Sequence, residues 1–355
     1  MTSAPLPSQF VGLVDSVLAE DAIDPGLSER LTAVREYLLH PLETQTFLTV
    51  LLRTQGRRIE PLKDALLCLA AQTEQDLEVI VLVHDAAADA LAAVKRVVDR
   101  QPPAFLRRIR IIEVSGGTRA KPLNIGVLAS RGSYIAVYDD DDLLFANWAE
   151  EFRAATGGSG NRLARATVAN QVVLPERWPQ GEQGFRTASW PNAEYPKEFD
   201  LLRHMLVNFS PFMSWAFPRS LFFRFGVRFD EELSVCEDWD LILRGSMLCG
   251  VDQVGALTAV YRRWQEGESS YTSHSTDAWR ASEQRVIDRI SDRVIMMPPG
   301  TMKAVRSMVL FNTALNDFKI IFDGTSLRRP LNWAWDAARP AVRFVARVRN
   351  RLRRR

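Results

Sequence analysis

The sequence predicts an α/β protein with a mainly parallel central sheet and helices on both of its faces. The first observation is an alternation of apolar runs with segments of helical periodicity, repeated four times before residue 145. The second is that these runs are short and continuous and end in polar residues, as buried parallel strands do. The third is composition: the 355 residues are 46% hydrophobic and 25% charged, and no apolar run is long enough to span a membrane.

The predicted elements follow one another in a regular order from residue 47. The first strand is followed by a helix that has Leu62, Leu66, Leu69 and Ala70 on one face. The predicted strands are residues 47–52, 77–83, 109–114 and 134–138, and the later helices between them are residues 87–99 and 121–130.

The ends of the chain differ from this middle part. We predict an N-terminal helical extension over residues 1–40, with a helix from about Ser28, a main domain over 41–295 and a C-terminal helical region over 296–355. Within the main domain, residues 174–198 are rich in proline and tryptophan and lack periodicity, which indicates a lid or binding loop. After this loop we expect helices at residues 237–248 and 277–290 and a strand at 254–261.

The charge is unevenly distributed. Residues 328–355 contain ten arginines and one acid, a local charge of +9, and because the whole chain carries +2, the remainder carries −7. An acidic body lacks the basic face that a nucleic-acid-binding domain needs, so we expect no nucleic-acid partner. Three scattered cysteines form no disulfide framework, and the N-terminus lacks a secretory signal, so we expect a cytoplasmic protein.

The basic tail has a second property, which is amphipathicity. From Pro340 onward, valines and a leucine fall on one helical face and arginines on the other, and two tryptophans precede them. A basic amphipathic helix of this kind predicts binding to an anionic membrane surface, with the protein peripheral at the inner face of the cell membrane. The alternatives are a solvated tail or, less favoured, a nucleic-acid arm.

Four consecutive aspartates, residues 139–142, directly follow the fourth predicted strand. Ligands of open α/β sheets bind beyond the carboxyl ends of the strands, so a site is expected there. Carboxylates this close repel one another, and oxygen-only ligands suit Mg²⁺ or Mn²⁺. The alternative is a solvated acidic turn or helix start.

Two other predicted strands end at the same edge of the sheet. Thr54 and Gln55 follow the first strand, and Asp85 follows the second. Asp85 is suited to accept hydrogen bonds from a base or a ribose, or alternatively to cap the next helix. Its neighbour His84 is interpreted as a packing residue.

An ordered series of motifs runs through residues 46–275. It comprises the segments 48–56, 71–73, 77–85, 122–126 with its Asn-x-Gly, 131–135, an Asp-x-Asp motif within 139–142, 226–230 and 237–241. In order and spacing the chain resembles the inverting glycosyltransferases of family 2, whose nucleotide-sugar-binding fold is called GT-A. The resemblance implies a GT-A fold over about residues 41–295.

The resemblance also implies roles for individual residues. Asp85 is expected to hold the nucleotide base, Asp140 to face the donor ribose or sugar, and Asp141, with Asp139, to bind Mg²⁺ or Mn²⁺ on the diphosphate. The implied donor-binding residues are Thr54, Gln55, Asp85, Arg119, Lys121, Asn124, Asp139 and Asp140. For Arg119 and Lys121 the alternative is that they are ordinary exposed cations.

Asp238 matches the family's general base, and Glu237 lies beside it. Transfer with inversion requires a carboxylate to remove the acceptor proton on the face opposite the leaving diphosphate. A helix start favours the ionised form of both residues. The alternative is a simple N-terminal cap, with Asp240 exposed.

The chain departs from the family pattern in two places. His84 stands where the family has an acid, so base recognition is expected to depend on Asp85 alone. Where many members have a histidine near the diphosphate, this chain has Arg262, Arg263 and Trp264. The arginines are suited to neutralise the leaving diphosphate, and the tryptophan to stack on an acceptor sugar or to pack in the core.

These observations predict an inverting hexosyltransferase that moves a sugar from a nucleotide-diphosphate donor to a glycan or lipid-linked acceptor, in polysaccharide or cell-envelope synthesis. One alternative is a non-catalytic membrane-associated scaffold, which the changes at His84 and Trp264 favour and the intact carboxylates oppose. Another is a nucleotidyltransferase, which is disfavoured because no glycine-rich phosphate loop follows the first strand.

Overall fold

The structure, a computed structural model, describes residues 7–157, 160–177, 183–264 and 274–324. The helices are α1 (Gln9–Leu18), α2 (Pro25–Leu39), α3 (Ile59–Ala70), α4 (Ala88–Asp99), α5 (Pro103–Leu106), α6 (Ala120–Ala129), α7 (Trp148–Thr156), α8 (Leu201–His204), α9 (Arg219–Phe223), α10 (Glu237–Cys249), α11 (Thr276–Ser291) and α12 (Thr301–Gly324). The strands are β1 (Thr46–Thr54), β2 (Leu77–His84), β3 (Ile109–Val114), β4 (Gly132–Asp139), β5 (Leu143–Leu144), β6 (Leu163–Arg177), β7 (Gln183–Thr187), β8 (Trp215–Pro218) and β9 (Val251–Trp264).

The strands form one sheet in the order β3, β2, β1, β4, β8, β6, β9 and β5, with β7 paired to β6. The first four of these strands are parallel, β8 is antiparallel to both of its neighbours, and β9 is parallel to β6. The predicted α/β alternation is therefore confirmed for the first half of the chain. After β4, the predicted strand at residues 254–261 is present as part of β9, whereas β5, β6, β7 and β8 were not predicted.

In the parallel half of the sheet, the pairing register brings the carboxyl ends of neighbouring strands side by side. Arg53 near the end of β1 is the direct neighbour of Asp139 at the end of β4, and Thr54 is the neighbour of Val83 in β2. The strands between these positions are fully buried, as the continuous apolar runs predict. Side chains at the polar strand ends therefore meet at one edge.

Helix α6 packs very closely on the sheet. A Cβ atom at Gly126 would lie 2.8 Å from the Leu51 side chain and 3.0 Å from that of Leu82, so a larger residue would force these buried leucines to shift. Because α6 begins directly after Arg119, the close packing fixes Arg119 at the same edge as the strand ends.

Two segments differ from the prediction. Helix α1 was not predicted, because its ten residues include a glycine and three valines of weak helix propensity. It is held by tertiary burial of Val11 and Val14 and by the Ser8 side chain, which accepts a hydrogen bond from the Val11 amide. Part of residues 174–198, predicted as a loop, continues β6 and forms β7, whose residues pair from Val173–Thr187 to Arg177–Gln183.

The chain divides into two compact units, residues 1–296 and 297–355. In the second unit, α12 is the element that the structure describes, and its apolar residues Met302, Met308, Val309, Leu310 and Phe311 are exposed. Among the described helices, none combines the length and the apolar character needed to cross a membrane. The predicted amphipathic tail lies outside the described residues.

Candidate active site

A cavity of about 530 Å³ lies at the carboxyl edge of the parallel strands. Its walls include the ends of three strands, at Thr54, His84 and Asp139, as the sequence predicts. The end of β9 forms another wall with residues 261–264. The cavity is strongly charged, because the four aspartates and the arginines Arg53, Arg57, Arg58, Arg119, Arg262 and Arg263 all line it.

Asp139 is bound on both of its carboxylate oxygens by Arg53. The Arg53 Nε lies 2.8 Å from one oxygen and Nη2 lies 3.0 Å from the other. Burial acts to raise the pKa of Asp139, but the Arg53 charge outweighs it and the pKa is lowered. Asp139 is therefore held ionised and in a fixed orientation.

Asp140 and Asp141 share one cation. Arg58, which directly precedes α3, donates from Nη1 to Asp141 at 2.5 Å and from Nη2 to Asp140 at 3.0 Å. The Thr54 hydroxyl also donates to Asp140, at 2.5 Å. Burial and the neighbouring carboxylates nevertheless raise the pKa of Asp140 to about 7 and raise that of Asp141.

Asp142 also lines the first cavity, but its hydrogen bonds are structural. Its carboxylate accepts a hydrogen bond of 2.8 Å from the Arg262 backbone N–H, and its carbonyl accepts one of 2.8 Å from the Tyr138 hydroxyl. Burial raises the pKa of Asp142 well above its usual value. The fourth aspartate thus ties the end of β4 to β9.

The donor set fits a divalent cation of the Mg²⁺ or Mn²⁺ type at Asp141. Its ligand atoms are carboxylate oxygens at a cavity wall, and such ions commonly use one or two carboxylates together with substrate phosphates. Both Asp139 oxygens are engaged by Arg53, which leaves that residue less suited to direct ligation. Within the described residues, no group of three or more His, Cys, Asp or Glu side chains converges on one point.

A second cavity, of about 600 Å³, adjoins the first and contains Asp238. The two cavities share a wall that includes Arg53, Arg119 and Asp139, with Asp142, Tyr261 and His274. The rest of the second cavity comes from later parts of the chain and mixes aromatic, polar and charged side chains, among them Tyr195, Asn208, Phe212, Trp239, Trp279 and Glu283.

Glu237 lies at the shared wall and is paired with two arginines. Its Oε1 lies 2.9 Å from Arg53 Nη1 and 2.8 Å from Arg119 Nε, and the residue is 3% exposed. Since Arg53 also binds Asp139, one buried guanidinium joins the strand-end carboxylates to the start of α10. Glu237 is thus a positioning group for these arginines and is poorly suited to be a base.

Asp240 has a purely structural environment. It is fully buried, it accepts hydrogen bonds from Arg244, and Arg289 approaches it at 3.4 Å. Where the sequence alternative expects an exposed acid, the structure has a buried ion pair between α10 and α11.

Asp238 differs from both of these neighbours, because its hydrogen-bond donors are uncharged. Asn208 Nδ2 donates to Oδ2 at 3.0 Å, and the Trp239 backbone N–H donates to Oδ1 at 2.7 Å. Burial, together with the Glu237 charge, raises the pKa of Asp238 to about 6. A half-buried carboxylate in a cavity with this pKa is suited to accept a proton near neutral pH.

The other predicted donor-binding residues are distributed unevenly around the first cavity. Gln55 and Arg119 line it, whereas Asp85 lies just beyond the end of β2 and accepts a hydrogen bond of 2.6 Å from the Gly116 amide. The Lys121 ammonium donates to the Ser115 carbonyl at 2.6 Å. Asp85, after β2, and Lys121, in α6, therefore both contact the loop that follows β3, at the rim of the sheet edge.

Asn124 is engaged in the fold. Its amide donates to the Phe229 carbonyl at 3.1 Å and to the Glu231 carboxylate at 2.7 Å, and its side-chain oxygen accepts from the Phe229 amide at 2.9 Å. The residue therefore ties α6 to the segment before α10.

Arg262, Arg263 and Trp264 line the first cavity. Arg262 is buried and its guanidinium lies 3.3 Å from the Asp64 carboxylate, whereas Arg263 is exposed and pairs with Glu194 at 3.2 Å. The Trp264 ring lies 5.7 Å from the Arg58 guanidinium. The tryptophan predicted to stack on an acceptor sugar thus lies against Arg58 in the first cavity.

Sequence reasoning missed three residues of this site. Arg53 had a signal, because it is a charged residue at the end of an otherwise apolar strand. Arg58 and Asn208 had none, since an arginine after a loop and an asparagine in an irregular segment are common. Only the folded chain brings them to the carboxylates.

Comparison with known proteins agrees with this geometry. Residues 54–221, a little less than half of the chain, match the family model described as glycosyl transferase family 2. The crystal structure of S. aureus TarS 1-349 in complex with UDP-GlcNAc has a TM-score of 0.50 at 14% identity, and the match covers 69% of this chain and 72% of that one. None of the curated proteins compared with the chain matches it.

Two further solved structures are similar. A mannosyltransferase, PcManGT from Pyrobaculum calidifontis in complex with GDP-Man and Mn²⁺, has a TM-score of 0.49 at 15% identity, and the match covers 93% of this chain and 91% of that one. Another crystal structure of TarS 1-349 has a TM-score of 0.44 at 15% identity, and the match covers 61% of this chain and 60% of that one.

The strand order of the sheet, the edge at which its parallel strands end and the similarity to the TarS structure in complex with UDP-GlcNAc define a GT-A fold, so the predicted fold is confirmed. Residues 54–221 are in addition similar to glycosyl transferase family 2.

Proposed function

We propose that the protein transfers a sugar from a nucleotide-diphosphate donor to a glycan or lipid-linked acceptor, with inversion at the anomeric carbon and with a divalent metal. The observation that carries this proposal is the pair of adjoining cavities. One contains the charged strand ends, and the other contains Asp238, with Arg53 and Arg119 in the wall between them.

The first cavity is suited to the donor. Arg57 and Arg58 supply positive charge for a diphosphate, whereas Arg263 pairs with Glu194. Thr54, Gln55 and Asp85 lie toward the strand ends where a nucleoside would bind. TarS binds UDP-GlcNAc on the same fold, which makes UDP-sugars the first donors to test.

The metal belongs to the donor side. Asp141 would hold Mg²⁺ or Mn²⁺, and Asp139, oriented by Arg53, would support it. When bound, such an ion neutralises charge on the leaving diphosphate. The arginines of the cavity contribute the same kind of stabilisation from the protein itself.

Asp238 is proposed as the general base. Its hydrogen-bond donors, Asn208 and the Trp239 amide, are uncharged, and burial together with the Glu237 charge outweighs the effect of the nearby Arg119, so the carboxylate stays basic. Asp238 takes the proton from the acceptor hydroxyl as this oxygen attacks the anomeric carbon, while the bond to the diphosphate breaks on the opposite face. An attack from the second cavity on a donor in the first gives inversion.

The second cavity is suited to a sugar acceptor. Tyr195, Trp239 and Trp279 offer ring faces of the kind on which sugar rings pack, and Asn208 and Glu283 offer hydrogen-bonding groups. Since Trp279 belongs to α11, the acceptor specificity would depend on residues outside the matched family segment.

Product analysis tests this proposal against its alternatives. The protein is incubated with UDP- and GDP-sugars, Mn²⁺ and a panel of glycan and lipid-linked acceptors. Release of free nucleoside diphosphate with a product of inverted anomeric configuration is expected. Release of pyrophosphate would indicate a nucleotidyltransferase, and donor binding without turnover would indicate a scaffold. Retention of configuration would contradict the role of Asp238.

We also propose that the C-terminal region binds the inner face of the cell membrane, which would suit a lipid-linked acceptor. The exposed apolar side chains of α12 and the ten arginines that follow support this location. Arginines near an anionic leaflet each contribute about 1 kcal/mol.

A further inference from the structure

We propose that Arg58 is a resident counter-cation of Asp140 and Asp141, which a divalent metal must displace. The metal therefore binds the free enzyme weakly and binds more tightly once a nucleoside diphosphate draws Arg58 away. The inference rests on the proposed function, because it concerns the carboxylates that would hold the metal.

First, the Arg58 guanidinium bridges the carboxylates of Asp140 and Asp141. Arg58 Nη1 lies 2.5 Å from Asp141 Oδ2, and Nη2 lies 3.0 Å from Asp140 Oδ1. One planar cation thus joins two adjacent carboxylates through charge-assisted hydrogen bonds. It occupies oxygens that a cation bound at Asp141 would need.

The second step is the distribution of partners among the aspartates. Asp139 has Arg53 on both oxygens, and Asp142 has the Arg262 backbone amide. Arg58 is the cation that the described ion pairs assign to Asp140 and Asp141. Removing its charge would leave these two carboxylates close together, a condition that a divalent ion relieves.

Third, Arg58 is better placed to move than the carboxylates that it bridges, although it also lies over the Trp264 ring, 5.7 Å from the centroid. The Arg58 side chain is 30% exposed, whereas those of Asp141 and Asp140 are 15% and 5% exposed. The guanidinium sits on a flexible stem, and the aspartates are fixed at the end of a buried strand. A metal and the guanidinium on the same oxygens repel each other, so their binding is competitive.

The fourth step is the alternative partner. A diphosphate in the first cavity offers Arg58 bidentate phosphate contacts in place of the carboxylates. The nucleotide then promotes metal binding, and by thermodynamic linkage the metal promotes nucleotide binding by the same factor. Arg58 thereby changes from a competitor of the metal into a ligand of the donor.

The experiment measures Mn²⁺ binding to the full chain by electron paramagnetic resonance, first without nucleotide. Arg58→Gln is expected to tighten Mn²⁺ binding by about tenfold or more, the scale on which partners of metal ligands alter metal affinity. Arg58→Lys keeps the charge and is expected to bind Mn²⁺ about as weakly as the wild type. Arg58→Met serves as a second uncharged variant, and circular dichroism checks the fold of each.

Arg263→Gln is the matched control, because it removes a cation that lines the same cavity but pairs with Glu194. Its Mn²⁺ affinity is expected to stay near that of the wild type. In the second arm, saturating UDP or GDP should tighten Mn²⁺ binding strongly in the wild type and much less in Arg58→Gln.

Two outcomes would overturn the inference. One is unchanged or weaker Mn²⁺ binding in both folded uncharged variants, and the other is an equal gain in Arg263→Gln, which would indicate a general charge effect. Failure of the proposed metal dependence has a different signature, in which no variant binds Mn²⁺ even with UDP or GDP present.

Discussion

The two acidic segments of this protein, residues 139–142 and 237–240, are both rich in carboxylates, but these carboxylates have different partners. The first segment ends a buried strand, and its first three carboxylates contact guanidinium groups from β1 and the start of α3. The second begins a helix, and its three acids point in different directions, toward the shared wall, the second cavity and the core.

Within the second segment, the partners of each carboxylate distinguish the proposed base, Asp238, from its acidic neighbours Glu237 and Asp240. Glu237 forms ion pairs with Arg53 and Arg119, and Asp240 forms one with Arg244. Asp238 receives uncharged donors, and its pKa is raised to about 6. A carboxylate becomes a useful proton acceptor when burial and a neighbouring like charge raise its pKa more than nearby cations and donors lower it.

The largest expected effect is on turnover. Asp238→Asn keeps the size of the side chain but cannot accept the acceptor proton, so turnover should fall by about a hundredfold to ten-thousandfold with little change in donor binding. The measurement is kcat with a matched acceptor, together with donor affinity by calorimetry. Turnover near that of the wild type would assign the proton transfer elsewhere and remove the contrast between Asp238 and its neighbours.

Asp240→Ala should lower the free energy of unfolding and should have no direct effect on the transfer reaction. It leaves Arg244 buried without its carboxylate, and breaking such a pair costs about 3–5 kcal/mol. Denaturant unfolding measures this loss. Asp277→Ala, at an exposed helix start, is the control and should change stability by less than about 0.5 kcal/mol. A mild loss at Asp240 would mean that its burial contributes little.

The effect of Mn²⁺ on nucleotide-diphosphate binding should depend on residues 139–142 and not on residues 237–240. Asp141→Asn is expected to abolish the increase in nucleotide-diphosphate affinity that Mn²⁺ produces, an effect of about tenfold or more in the wild type. The protein should stay folded, because Asp141 lies at a strand end outside the core. Calorimetry with Mn²⁺ and with EDTA gives the comparison, and equal affinities for the wild type in both would remove the metal from the donor site.

The pH dependence separates the two roles of Asp238. Because its pKa is raised to about 6, kcat/KM should fall as the pH drops through about 6, as the carboxylate becomes protonated. A raised folded-state pKa means that the folded protein binds this proton more tightly than the unfolded chain, so the contribution of Asp238 to stability should rise as the pH falls from about 6 to about 4. Activity and this stability contribution should therefore move in opposite directions.

Asp238→Asn provides the control for that stability measurement. The difference in unfolding free energy between the wild type and Asp238→Asn should change between about pH 6 and pH 4 in the stated direction. A constant difference would mean that the pKa of Asp238 is not raised in the folded state.

The smallest expected effect concerns the C-terminal region. Deleting residues 330–355 should leave donor binding unchanged and remove sedimentation with anionic vesicles at low salt, since the remaining body is acidic. Vesicles of neutral lipid are the control. Equal sedimentation of the full-length and truncated proteins would contradict the proposed membrane role of the tail.

The parallel half of the sheet could be predicted from the sequence alone, and so could the edge at which its strands end and a ligand is expected to bind. Continuous apolar runs such as residues 134–138 specify buried strands, and the polar residues that follow them must then meet at one edge. The sequence also indicated Asp238 and Asp141 through the family resemblance, and the GT-A fold was predicted correctly. These features depend on local pattern and order along the chain, which a sequence contains in full.

The ion-pair and hydrogen-bond partners of each carboxylate could not be predicted from the sequence and are known from the tertiary structure. Arg53 binds Asp139 and Glu237, which are 86 and 184 residues away along the chain, and Arg58 reaches Asp140 and Asp141 from the start of α3. The same holds for Asn208 at Asp238 and for the burial of Asp240. A carboxylate's proton affinity and its availability to a metal depend on charges and burial within a few ångströms, and these distances are set by folding, because residues far apart in sequence supply the partners.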